Sequence, residues 1–143
     1  MERGELWWAR IDEMRPVVLL TGGAGPEFCA VQVVEPATAV QRLGFVLLTG
    51  AQAIDAGERR RIVAAAGPEA LPVGVEVFLG VAEGLAAPGV VRVALPRADM
   101  VFCTWQTTVG REHLVERIGV LGPAKIRELD VALELAGGGT GPV

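Results

Sequence analysis

The chain has 143 residues, 51% of them hydrophobic and 21% charged, with a formal net charge of −4. That is the length of one domain with enough apolar material to bury a core, which excludes a disordered chain. The acidic balance excludes a protein that grips nucleic acid through many phosphates and leaves room only for a local patch among its Arg residues.

The elements read mostly as short strands broken by Gly and Pro. Glu5–Ile11 is the first, with Leu6 and Trp8 alternating against Glu5, Trp7 and Ala9. Pro16–Thr21 is the second, dense in Val and Leu, and Gly22-Gly23-Ala24-Gly25-Pro26 is a turn. Phe28–Val34 is the third, stopped by Pro36, and Phe45–Leu48 the fourth. Asp55 followed by Glu58 forms a capping-box pattern and opens a helix through Arg59–Ala66, which Gly67-Pro68 ends. Val73–Leu79 alternates, with Glu76 and Phe78 opposite the valines. Val90–Leu95 and Met100–Thr104 complete the set. Pro123 opens a terminal helix in which Ile126, Leu129, Leu133 and Ala136 recur at helical spacing; Gly137-Gly138-Gly139 ends it and a flexible tail follows from about residue 137. Six or seven short strands plus a terminal helix predict an α+β domain built on a small closed or half-closed barrel.

The common catalytic sets are missing. His113 is the one histidine and reads as a surface residue in a turn. Cys29 and Cys103 lie in apolar runs without metal-type spacing, which predicts two buried thiols in a reducing cytoplasm. The chain has no Ser, so no serine triad is available, and Thr21–Gly25 lacks the Lys of a phosphate loop. No metal or other cofactor is expected. No apolar run approaches a membrane span, so no membrane contact is expected either.

What carries chemistry is a series of local motifs. Gly4-Glu5-Leu6-Trp7-Trp8 resembles the opening strand of MazF/PemK endoribonuclease toxins of type II toxin–antitoxin systems, and Arg15-Pro16-Val17 resembles the strand that follows there. Val34-Glu35-Pro36-Ala37-Thr38, Val75-Glu76-Val77 with Gly84-Leu85, and Gln106–Val109 through Leu121 are similar to later segments of that family in the same order. The resemblance touches nearly the whole chain except about Val40–Pro72. It implies a single domain over residues 1–143 on an SH3-like barrel of the CcdB/MazF type. The terminal helix belongs to that fold, and about 40–72 would be an insertion carrying an extra strand and the Arg-rich helix.

The resemblance assigns catalysis to Arg15 and Thr38, with Thr49 of Thr49-Gly50-Ala51-Gln52 as a rival for the threonine. It implies a metal-independent, sequence-specific cleavage of single-stranded RNA to 2′,3′-cyclic phosphate and 5′-hydroxyl ends, in a homodimer silenced by a cognate antitoxin peptide. In such a reaction the ribose 2′-hydroxyl attacks the adjacent phosphorus and charge builds on the phosphate oxygens. A guanidinium fork holds two such oxygens, and a Thr hydroxyl donates a further hydrogen bond. A free Arg has a pKa above about 12 and is a poor base, so Arg15 is expected to stabilise charge. The chain departs from the family pattern at Glu35, an acid beside the expected site, and at Thr107 and Gly110, where many members have Arg and Asp. With the −4 charge, these departures define the alternative: a catalytically degenerate binding module of the same fold, acting through an antitoxin or another protein partner.

Overall fold

Alternation decides the first third of the chain. In the computed structural model, which describes residues 1–66, 72–95 and 106–136, β1 (Glu5–Arg10), β2 (Met14–Leu19) and β3 (Glu27–Gln32) form an antiparallel meander. Its strands are apolar on both faces. Leu6, Val18 and Val31 enter one core, while Ala9, Val17, Leu19, Phe28 and Ala30 enter another. A sheet apolar on both sides has to be covered on both sides.

Five further strands supply the covers: β4 (Val46–Thr49), β5 (Val73–Leu79), β6 (Gly89–Leu95), β7 (Gln106–Gly110) and β8 (Leu114–Val120). The larger sheet runs β7-β3-β2-β1-β8. Its edge strands are consecutive in sequence, joined only by a 3-10 turn at Arg111–His113. Laid flat, the edges of five strands stand at least roughly 19 Å apart, four spacings of about 4.8 Å. Gly110 and Leu114 are four Cα steps apart, at most about 15 Å. The sheet therefore has to curl, and it wraps Phe28, Val109, Leu114 and their neighbours as the interior of a small barrel. Arg111, in that 3-10 turn, reaches back to the connection between β2 and β3. Its guanidinium lies 5.0 Å over the Phe28 ring and donates to the carbonyls of Gly23 (2.9 Å) and Gly25 (3.1 Å), holding the glycine-rich turn.

The outer face of the meander packs on the second sheet, β4-β5-β6. β4 is parallel to β5, and the crossover between them contains α2 (Gly50–Ile54) and α3 (Ala56–Ala65), following α1 (Ala39–Arg42) just upstream. The Asp55 carboxylate accepts from the Glu58 N–H, which is half of the expected capping box; the Glu58 carboxylate accepts from Arg61 instead of returning to Asp55. β5 and β6 form an antiparallel pair. The third strand is shorter than the sequence suggests, because Val34 leaves the barrel to exchange hydrogen bonds with Val90 of β6 at 2.9 and 2.8 Å. That crossing ties the two sheets together. α4 (Pro123–Leu135) lays Leu129, Ala132 and Leu133 on the shared core, with Ile126 and Ala136 at its margin.

The architecture is the α+β barrel with a C-terminal helix that the sequence predicts. The strand expected at Met100–Thr104, the helix ends at Gly67-Pro68 and Gly137–Gly139, the tail and Cys103 lie outside the described residues. Cys29 is half-buried rather than fully enclosed, since it sits on the face of β3 where the edge strand β7 leaves it partly open.

Candidate functional site

Arg15 is the second residue of β2, opposite Ala9. Its side chain is 39% exposed and pairs with Glu13 at 3.1 Å. The next residue, Pro16, accepts from the Val33 N–H at 2.9 Å. The start of β2 thus meets Val33, where the segment that crosses from barrel to second sheet, Val33 to Thr38, begins. Thr38 stands exposed at its end.

Both candidate threonines prove to be helix N-caps. Thr38 Oγ1 accepts from the Gln41 N–H (3.2 Å), and Gln41 Oε1 accepts in return from the Thr38 N–H (2.9 Å). Thr49 and Gln52 make the same reciprocal pair at the start of α2 (3.1 and 2.9 Å). The sequences Thr38-Ala39-Val40-Gln41 and Thr49-Gly50-Ala51-Gln52 are capping boxes, a signature that foretells the short helices α1 and α2. A capping hydroxyl accepts with a lone pair and keeps its own hydrogen to donate, so capping and phosphate binding are compatible at Thr38. Among the described residues no hydrogen bond joins Arg15 to Thr38.

The centre of polar structure beside Thr38 is Glu76, on β5, which is 1% exposed. Its Oε2 accepts from Arg92 Nε (3.1 Å), from Arg92 Nη2 (2.7 Å) and from the Ala37 N–H (3.2 Å), and its Oε1 accepts from Arg42 Nη2 (3.0 Å). Arg92 Nη2 also donates to the Glu35 carbonyl at 3.0 Å. A buried carboxylate is tolerated only when paired and fully hydrogen-bonded, and here four contacts meet that condition. Their effect is to fix residues 35–38, and so the backbone that carries Thr38, against the β5–β6 pair. Two guanidiniums share one carboxylate, leaving one net positive charge where Arg42 is 42% and Arg92 38% exposed. A cavity of about 190 Å³ adjoins them, lined by Ala37, Gln41, Phe45, Leu47 and Arg92.

Sequence reasoning passed over this cluster. The signal for it is a single acid in the apolar run Val73–Leu79 and a single base in the apolar run Gly89–Leu95; the register sets Glu76 directly opposite Arg92. Glu35, the acid beside the expected site, has an exposed side chain, and its carbonyl holds Arg92. His113 sits exposed in the 3-10 turn, 3.5 Å from Glu112, as the sequence suggests. Among the described residues no three His, Cys, Asp or Glu side chains cluster as a metal site needs.

Glu5, at the opposite end of β1 from Arg15's partner Ala9, is 12% exposed. Burial pushes its carboxyl up, but the Trp7 indole N–H (2.9 Å), a backbone hydrogen bond with Glu2, the nearby Arg117 and the N-terminus together bring it below the ordinary carboxylate value.

No family model matches this sequence, and no curated protein is similar to it. Solved structures are. An endoribonuclease from a mycobacterial species in complex with its cognate antitoxin superposes with a TM-score of 0.52 at 15% identity, covering 99% of this chain and 97% of the other. A further mycobacterial endoribonuclease superposes with a TM-score of 0.53 at 14% identity, over 99% and 95% of the two chains. At such identities the likeness is one of fold.

Proposed function

We propose that the chain is a MazF/PemK-like endoribonuclease of the toxin–antitoxin kind, which cleaves single-stranded RNA at specific sequences without a metal, leaving 2′,3′-cyclic phosphate and 5′-hydroxyl ends. The observation that supports this reading is the fold shared with two mycobacterial endoribonucleases, together with the contact between Pro16, next to Arg15, and Val33, where the crossing segment that ends at Thr38 begins. Arg15 releases Glu13, which is 72% exposed, and takes two oxygens of the scissile phosphate. Thr38 keeps its capping bond and donates its hydroxyl hydrogen to the same oxygens. The Glu76 cluster holds the Thr38 backbone still while charge develops, so little reorganisation is needed at that moment. A homodimer and a cognate antitoxin peptide complete the proposal; the antitoxin in the similar complex is its support.

A second reading, a non-enzymatic binding module, is favoured by the net charge of −4 and by the exposed Val40 (77%) and Leu43 (80%) beside Thr38. One experiment separates the two. Purified protein is incubated with a long RNA in EDTA and the products are mapped. Cyclic-phosphate ends that fall about 100-fold or more in Arg15→Ala support the enzyme. Thr38→Gly isolates the hydroxyl, because Gly at an N-cap costs only about a few tenths of a kcal/mol and carries no side-chain donor. It is expected to keep stability and lose cleavage. RNA left intact by the wild-type protein in several buffers overturns the enzyme reading.

A further inference from the structure

Phe45 is 46% exposed beside the Glu76 cluster, whereas Phe28 is buried in the barrel at 1%. An aromatic ring that folding does not bury keeps a face for a ligand. Phe45 lines the same 190 Å³ cavity as Gln41 and Arg92, with Leu47 and Ala37 as its apolar walls. The capping bond fixes the Gln41 amide. Its oxygen faces the Thr38 N–H, so its NH2 group is the end left to donate. Arg92 and Arg42 are oriented by Glu76 and bring the local net charge to plus one.

We propose that this cavity is a subsite for one unpaired nucleotide of RNA. Phe45 stacks on the base, the Gln41 amide donates to an acceptor on the base edge, and Arg92 with Arg42 takes the adjoining phosphate. Ala37 lines the cavity and Thr38 follows it, so the bound nucleotide lies next to the phosphate held by Thr38. Gln41, Arg42, Phe45 and Leu47 all come from the stretch that the sequence motifs leave uncovered, so the subsite gives this chain its own base preference. The inference rests on the ribonuclease reading for its ligand, and stands on the cavity for its location. A planar ring, an amide donor and the oriented Arg92 guanidinium around one hollow favour a nucleotide over a protein segment.

The test uses a fluorescein-labelled 2′-O-methyl oligonucleotide pool, which lacks the attacking hydroxyl and stays intact, in anisotropy titrations at about 50 mM salt. Phe45→Ala is expected to weaken binding about 5- to 150-fold, the range for losing one base–aromatic stack. Phe45→Trp is expected to restore it. Gln41→Glu keeps the capping box but removes the amide donors, and is expected to shift which sequences bind. Leu43→Ala, on the same segment, is expected to bind as wild type. Circular dichroism and a urea midpoint establish that each variant is folded. Binding by folded Phe45→Ala within twofold of wild type overturns the subsite, as does an equal loss in Phe45→Ala and Leu43→Ala, which marks a broad apolar face for a protein partner. No binding by the wild-type protein overturns it too. The two proposals fail separately. Phe45-dependent binding without cleavage of natural RNA sinks the enzyme and keeps the subsite, while cleavage at unchanged positions and rates in Phe45→Ala does the reverse.

Discussion

Glu76→Gln keeps the shape of the least exposed acid in the described structure and removes its charge. The carboxylate receives one backbone N–H and three guanidinium contacts between 2.7 and 3.2 Å. A Gln oxygen can keep one or two of them, and the amide NH2 then faces a guanidinium, donor against donor. Removing one member of a buried ion pair costs about 3–5 kcal/mol when the other stays buried and uncompensated. Here Arg42 and Arg92 are 42% and 38% exposed and can turn toward water, so that figure has to be discounted. Losing roughly two charge-assisted hydrogen bonds, with rehydration returning part, gives about 2 kcal/mol. For a chain of this length that is a fall in Tm of roughly 8 °C. Urea titration followed by tryptophan fluorescence measures it, with an unchanged slope as the sign that the unfolded state is unaltered. Arg42→Gln and Arg92→Gln should each cost less, below about 1 kcal/mol, because one cation remains on the carboxylate and the lost group was half in water. A Glu76→Gln variant within 0.5 kcal/mol of wild type, or one less damaged than either Arg variant, would refute the account of Glu76 as the anchor of residues 35–38.

Thr49→Ala should lose about 1 kcal/mol in the same titration without altering any RNA cleavage, and Thr49→Asn should lose almost nothing, since Thr49 caps α2 and Thr38 is the proposed site threonine. Gly84 has φ +97°, and a Cβ there would lie 2.5 Å from the Ile118 carbonyl oxygen, so Gly84→Ala should destabilise by more than 1 kcal/mol and lower the thermal midpoint accordingly. Glu5 has a carboxyl held below its ordinary value, so its stabilisation is complete above that value and is lost as pH falls through the lowered one; Glu5→Gln should lower the neutral plateau of a stability–pH curve, leave the acid end little changed, and so flatten the limb below about pH 4.3. Burial pushes the Cys29 thiol up, so in a Cys103→Ser background alkylation followed by mass spectrometry should be slow at neutral pH and accelerate only above the ordinary thiol value.

Much of the candidate site is local and was therefore legible. Arg15-Pro16 begins a strand because Val17, Val18 and Leu19 follow, and Thr38 and Thr49 each stand three residues before a Gln, which is the pattern of a cap. Reading those threonines only as rivals for one catalytic role missed that both start helices. Glu76 was legible as a charge in an apolar strand, yet its meaning was not, because Arg42, Arg92 and Ala37 reach it from 16 to 39 residues away.

The same division runs through the whole molecule. By itself the sequence determined β1 to β6, the terminal helix and the caps, since a period of two, a period of 3.6 and a Thr-x-x-Gln spacing each act within a few residues. Only the tertiary structure decided which faces meet. It decided that a sheet apolar on both sides curls around Phe28 when a three-residue turn joins its two edges, and that Val34 crosses to Val90. It also decided that one buried carboxylate gathers two arginines next to Thr38. Those outcomes depend on burying surface and pairing charge between distant segments, and no local pattern carries that information.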